Sequence, residues 1–415
     1  MLSRLGAAPN IAAWIVLASL LVLANLIGNA SPYIYLVVLV IAWPFLFMDA
    51  AARHAMNRWE SYAYLTAFLF MLIGFTFAAG GWEHFENVGN FLPYLLFLPA
   101  VGLFDRSARP GNTLIIATLA LIGAIVAVGT AVFDVHIMGH RRAVGLVNTT
   151  NPFAMVSVML GFLSLMGFWA IRDWRRYLFF IGPIFATCAV VLAGTRAAIL
   201  IVMALSVLFA IFVGVKLSRK GRSALVGAGV LAAVAGGAAI VALGADTRAF
   251  QAIESIYLFF AEGQAIDRSV AIRLELYRGG IMAFLDSPIF GHGWRHHVEA
   301  ARPYMVDESI AQRVARWSHL HNDYINFAAL AGIFGLASYF IYLLVPIIAT
   351  WKAERDSQYH ARLYGGFVVS TCYAIYGVFG SAFAAELLLC FGVVFTAVLV
   401  GFCKDRPRVE CADVT

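Results

Sequence analysis

Apolar runs of roughly 17–25 residues recur along the whole chain, separated by short stretches that collect its glycines, prolines and charges. Each run is long enough to cross a hydrocarbon core as a helix. The pattern predicts twelve spans, at about 11–28, 32–48, 61–79, 91–104, 111–133, 152–170, 177–194, 197–215, 224–245, 324–346, 363–383 and 386–402. The fourth is short and carries Pro93 and Pro99, so a tilted or broken helix is expected there. The first follows Arg4 as a signal peptide would. No small-residue cleavage site and polar mature domain come after it, so it is read as a span. No internal repeat is evident.

One long segment, 246–320, breaks the pattern. Ile253, Ile256, Tyr257 and Phe260 sit at helical spacing, as on an amphipathic helix at a membrane interface. A second helix is expected from Asp267 to Leu285, stopped by Asp286-Ser287-Pro288, with Gly291 and Gly293 forming a tight turn before Trp294. The expected organisation is spans one to nine over 1–245, a helical cap over 246–320, and spans ten to twelve with a short tail over 321–415. These form one integrated all-α membrane domain.

Composition agrees: 62% of residues are hydrophobic and 13% charged, against about half and a quarter in soluble domains. The five cysteines show no paired spacing, so neither a disulfide framework nor a zinc motif is indicated. Charge then sets orientation, because cytoplasmic loops hold the excess of Lys and Arg. With the N-terminus inside, eighteen of the 29 basic residues fall in inside segments, including all four lysines. Both termini are then cytoplasmic and 246–320 lies on the far side. Every basic residue out there is an arginine, and eight of the ten histidines join them. Arginine's planar fork holds phosphate oxygens in pairs and stays charged when desolvated. An arginine-selective outer face therefore suits a phosphate-bearing ligand. The alternative is that these arginines pair with Glu254, Glu262, Asp267, Glu275 or Glu308 within the loop.

Four constellations carry candidate chemistry. His319-Leu320-His321-Asn322-Asp323 stands where the outer loop meets the tenth span. An imidazole can take a proton near neutral pH, and Asn322 or Asp323 could orient it. The two histidines could instead bind a metal with His292, His296 and His297, or serve as a solvated structural pair; at i, i+2 the pair itself lacks the i, i+4 spacing of a zinc enzyme. Gly194-Thr195-Arg196 places a charge in a hairpin between two apolar spans, a functional position by default unless the side chain merely snorkels to the interface. Arg268, Arg273 and Arg278 lie on the second loop helix. Arg141-Arg142, followed by Gly145, Asn148, Asn151 and Pro152, enters the sixth span, where glycine and proline permit tight re-entry and amides can bind hydroxyls.

In order, Asn-Pro-x-Ala at Asn151–Ala154, Gly-Thr-Arg-Ala at Gly194–Ala197, Arg273 leading to Phe290-Gly291-x-Gly293, His-x-His-Asn at His319–Asn322 and Gly332-Ile333-Phe334-Gly335-Leu336 resemble the O-antigen ligase and polymerase superfamily of bacterial envelope glycosyltransferases. The resemblance covers about 140–400. It departs at Leu320, where the family usually has a small residue. It implies metal-independent transfer, with no cofactor, of a glycan from undecaprenyl diphosphate on the periplasmic face of the inner membrane. In the ligase branch the acceptor is a sugar hydroxyl of lipid A–core oligosaccharide. Arg196 and Arg273, supported by Arg142 and Arg268, would hold the diphosphate and stabilise its departure. His321, with His319 secondary, would take the hydroxyl proton, and Asn322, Asn151 and Arg141 would support. A pKa near 6.5 for that base predicts a rate that falls below about pH 6. No nucleic acid is expected as a partner. A polymerase is the close rival. A protein O-oligosaccharyltransferase would carry a longer soluble C-terminal part, and a transporter for an anionic lipid would show inverted repeats and charged broken helices.

Overall fold

A computed structural model describes residues 8–28, 30–78, 81–145, 149–214, 268–294, 296–383 and 385–404. Among these there is helix and turn but no strand, as expected of a polytopic helical membrane protein. Eight helices are long and apolar enough to cross a membrane: Ala30–Met48, Trp59–Phe77, Asn87–Arg106, Asn112–Ile137, Thr150–Ala170, Trp174–Ala193, Arg196–Gly214 and Asp323–Trp351. Shorter apolar helices span Ile11–Val22 and Glu386–Phe402, and a 21-residue helix runs over Tyr359–Phe379. The span expected at 224–245 and the amphipathic helix at 253–260 lie outside the described residues, as does Asn148.

Two expected spans are irregular. The first is interrupted by a π turn at Ala18–Val22 and resumes as Ala24–Ile27, ending at Gly28 with φ 52°. On the resumed helix, buried Asn25 Nδ2 donates to Ser157 Oγ at 2.9 Å, satisfying a polar side chain away from water. The fourth begins as a 3₁₀ helix over Gly81–Leu96, containing Pro93, and becomes α-helical only at Phe97–Arg106. Proline removes a donor from the ladder, which accounts for the looser start.

The described chain divides into two compact units. The first comprises Met1–Leu72, Glu86–Met203 and Ala337–Thr415. Its centre is Thr150–Ser164, buried on almost every side, packed against Asn112–Val132 and Ile181–Ala193. Glycine permits this approach, since a Cβ at Gly161 would overlap the Ala186 methyl and lie 2.7 Å from Gly182 O. At one end the chain is pinned by polar groups. Arg362, 1% exposed, donates to both Asp356 carboxylate oxygens and to Cys403 O, each at 2.8 Å. Lys404 reaches Asp105 at 2.6 Å.

The second unit comprises Ile73–Phe85 and Ala204–Leu336. Helix Arg268–Asp286 forms where the sequence predicts it, one residue offset at each end. His296–Ala301 and Glu308–Val314 follow, the latter capped by Asp307, whose carboxylate accepts from Ser309 N and Ile310 N. Leu276, Ala283, Val298, Ala301, Ile310, Val314 and Leu320 make one apolar core under these helices. Buried Glu275 takes the Val306 N–H at 2.8 Å, so this acid is spent on main chain and not on an arginine.

The tenth span is not continuous as expected. Helix Asp323–Trp351 is broken at Ala331 (φ −138°, ψ 21°) and Gly332 (φ 62°, ψ −144°). The 288–293 turn fills the break: His292 N–H donates to Ala329 O and Gly293 N–H to Leu330 O, both at 2.9 Å, and Ile333 N–H donates to Pro288 O at 2.8 Å. The backbones nearly touch, and a Cβ on Gly291 (φ 70°) would lie 2.5 Å from Ala331 N. Phe290 stacks on Phe334, ring centroids 5.8 Å apart.

Candidate functional site

The loop before the broken helix brings His319, His321 and Asn322 into one small structure. Asn322 caps the helix, its side-chain oxygen accepting from Ile325 N–H at 3.1 Å. His321 has φ 55°, the left-handed region that non-glycine residues rarely occupy. Such a conformation costs on the order of 1–3 kcal/mol and persists only where neighbours fix it. Three contacts do so. Leu320 N–H donates to Asn326 Oδ1 at 3.0 Å, Tyr277 O–H donates to His321 O at 3.3 Å, and His321 N–H donates to His319 Nδ1 at 3.3 Å. The last bond puts the His319 proton on Nε2.

The His321 ring stands edge to face with Trp317 (4.9 Å between centroids) and His319 (4.2 Å). Burial, reinforced by the nearby His319 ring and Arg273 charge, pushes the His321 pKa down to about 3. Burial likewise lowers His319. The expectation of a protonation near pH 6 is therefore corrected: in the protein without ligands His321 is a neutral acceptor across the physiological range. Arg273 lies one helical turn before Tyr277, and its charge is felt by both Tyr277 and His321. Arg268 bears on Asp307. Arg278 is exposed, and Arg295 lies outside the described residues.

The remaining histidines are engaged separately. His292 Nε2–H donates to Ala283 O at 2.7 Å, and fully buried His297 meets Asn326 Oδ1 at 3.0 Å. Among the described residues no three His, Cys, Asp or Glu side chains gather as a metal-ligating group.

In the first unit a second set converges. Gly194 ends Ile181–Ala193 with φ 62°, and a Cβ there would meet Arg142 Nε at 3.5 Å. Ala143 N–H donates to Leu192 O at 3.1 Å, holding the Arg141–Arg142 segment beside the hairpin. Arg196 opens helix Arg196–Gly214, and the buried Thr195 hydroxyl has no hydrogen-bond partner among the described residues. The N-terminus of a long helix flanked by arginines is an electropositive place suited to an anion. Asn151 occupies the first turn of Thr150–Ser164, half-buried. Sequence reading missed Asp134, which sits buried in a π turn and accepts from Val144 N–H at 2.8 Å, shaping the segment that carries both arginines. It also missed Tyr277, Trp317 and Asn326. Tyr277 was discoverable, standing four residues after Arg273 on one helix face.

A groove of about 480 Å³ lined by Trp43, Arg53, Tyr62 and Leu98 holds none of these candidates.

The described residues define a helical, multi-pass membrane protein, with an arginine group in the first unit and a histidine loop beside Arg273 in the second. Residues 181–340 match the O-antigen ligase family. The matched stretch contains Arg196, Arg268, Arg273, His319, His321 and Asn322; Arg141, Arg142 and Asn151 precede it. The chain is also similar to an uncharacterized protein of Haemophilus influenzae, 21% identical over 297 residues that cover 69% of this chain and 71% of the relative. The match over that region supports a general enzyme role of the ligase or polymerase kind.

Proposed function

We propose that this chain is an O-antigen ligase that moves a glycan from undecaprenyl diphosphate to a sugar hydroxyl of lipid A–core, at the periplasmic face of the bacterial inner membrane and without a metal. The observation that carries the reading is the placing of Arg273 beside the neutral, conformationally held His321 inside the region shared with the family. In this reading the acceptor hydroxyl gives its proton to His321 as its oxygen attacks the anomeric carbon. The bond from that carbon to the diphosphate breaks, and the carrier leaves with the electron pair. Arg196 and Arg273, with Arg142 and Arg268 in support, neutralise the developing charge. Arg141, Asn151 and Asn322 keep supporting roles, and His319 is secondary, ordering the His321 backbone. A base held near pKa 3 is weak. A diphosphate brought close opposes the Arg273 charge and raises its proton affinity when substrate is bound.

The test is protein purified in detergent and given lipid-diphosphate glycan with rough lipopolysaccharide. A ladder on the lipopolysaccharide, formed without ATP or divalent metal, is expected. Elongation of the donor glycan without lipopolysaccharide would assign a polymerase, and activity lost to chelator but restored by zinc would assign a metal enzyme.

Arg196→Lys and Arg273→Lys keep the charge but lose the planar fork. Each should cost about tenfold or more in rate, the scale of one lost charge-assisted hydrogen bond; normal turnover of both variants at normal protein levels would remove them from the diphosphate clamp. The orientation is checked by reporter fusions at Lys220 and Arg302, which should mark the cytoplasm and the periplasm. Both fusions reporting the same compartment would overturn this topology.

A further inference from the structure

We infer that His297 is a positioning residue that holds the His319–His321 loop through Asn326. The inference rests on the functional reading above only for its effect on rate. Asn326 Oδ1 receives two groups, Leu320 N–H at 3.0 Å and His297 Nε2 at 3.0 Å. The Leu320 N–H fixes which end of the amide is oxygen, because a flipped amide would set donor against donor. The imidazole nitrogen facing that oxygen must then carry hydrogen. The ring is buried and neutral, with its pKa lowered to about 4, so it has one N–H to place. Its Nδ1 lies farther from an acceptor, 3.2 Å from Gly293 O, which already takes the His297 main-chain N–H at 3.2 Å. The proton therefore sits on Nε2.

The consequence is a strut across the second unit. Gly293 N–H is tied to Leu330 O in the helix break, His297 rises one turn later on His296–Ala301, and its Nε2–H grips Asn326 on the first turns of the broken helix. Asn326 in turn grips the amide of Leu320, the fully buried residue between the two histidines. Leu320 also packs into Gly280 and Ile325, where a Cβ on the glycine would come 2.7 Å from Leu320 Cδ1. Held at Leu320 N and at its own carbonyl by Tyr277, His321 has little freedom to leave its left-handed conformation. His297 does not touch His321's ring; it acts by fixing the residue before it.

The test uses full-length protein in detergent and two readouts, amide exchange at Leu320 and transfer rate. His297→Met fills similar space without a donor, whereas His297→Gln can present an amide N–H near the position of Nε2. Exchange at Leu320 should quicken about tenfold in H297M, the scale of one hydrogen bond, and return close to the wild-type rate in H297Q. The transfer rate should follow the same order, with little change in apparent KM for the donor. Exchange in H297M equal to wild type, or equal acceleration in both variants, would overturn the inference. Should H297M fail to accumulate, Asn326→Asp, which keeps an oxygen acceptor, is compared with Asn326→Leu, which does not. Slow exchange only in N326D supports the strut, and matched exchange in the two overturns it. A wild-type protein that transfers no glycan counts against the proposed function and leaves the exchange comparison decisive for the strut.

Discussion

Replacement of His321 by alanine is expected to lower glycan transfer by about 10²–10⁴-fold, the usual contribution of a general base. The residue also holds φ 55°, where alanine is less at home than histidine, so the alanine variant changes backbone preference as well as chemistry. His321→Asn separates the two, because asparagine tolerates the left-handed region but cannot accept a proton at neutral pH. Both variants should be inactive, with the asparagine protein close to wild type in thermal stability. Retention of more than about a tenth of the wild-type rate by either variant would take the base role from His321. The pH dependence has a definite sign. With the resting pKa near 3, His321 contributes no acid limb to kcat/KM between about pH 5 and 8, whereas an unperturbed histidine would give one near 6.5. Stability behaves differently. His297 and His321 are held neutral by the fold but titrate near 6.5 when unfolded, so the unfolded chain binds more protons between those values. Their contribution is complete above pH 6.5 and is lost as pH falls toward 4 and 3. A melting temperature that declines from pH 7 to pH 5 while kcat/KM stays flat is the expected pair of results.

Gly332→Ala should be the most damaging single methyl group in the second unit. At φ 62° and ψ −144° the backbone lies in a region that only glycine enters cheaply. An added Cβ would also overlap the Ile289 carbonyl. Strain and overlap together predict a loss of about 3 kcal/mol or more, measured as a fall in melting temperature with loss of transfer. Gly129→Ala is the control of opposite sign. It lies within helix Asn112–Val132 with nothing within 4 Å of its Cβ position, and alanine there should be neutral or stabilising by up to about 1 kcal/mol. A Gly332→Ala protein as stable and active as the control would show that the break can close or move without cost.

What the sequence disclosed and what it concealed follow from the range of the forces involved. The helix over Arg268–Asp286, its stop at Ser287-Pro288 and the turn at Gly291 and Gly293 were readable because proline, glycine and periodicity act over a few neighbours. Pro93 announced the irregular fourth span for the same reason. The break at Gly332 was not readable: in an apolar run a glycine looks like any small packing residue. Only the distant 288–293 turn supplies the partners that make a gap affordable. Arg273 and His321 stood out as charge and imidazole in an apolar chain. Asn322 was assigned to the histidine by adjacency, yet its oxygen went to the helix end. Asn326, Tyr277 and Trp317 are ordinary residues until the fold brings them to the loop. Arg142 and Arg196 were grouped only by the diphosphate role that the resemblance implies, and in the first unit the Ala143–Leu192 main-chain bond holds the Arg142 segment beside the hairpin.

The broken helix also has a history during synthesis. Inserted alone, an uninterrupted 323–351 helix would pair the Ala329 carbonyl with the Ile333 N–H in its own turn. In the finished fold that N–H belongs to Pro288, and the Ala329 and Leu330 carbonyls belong to His292 and Gly293. Docking the turn therefore trades local bonds for distant ones of equal kind. In a bilayer, where an unpaired carbonyl has no water to turn to, the trade proceeds only when all three replacements are ready. The turn leaves the ribosome first, but its own geometry is completed by a helix made some forty residues later. Maturation of the histidine loop is thus coupled to membrane integration: a chain stalled before that helix is inserted has no break on which to seat the turn.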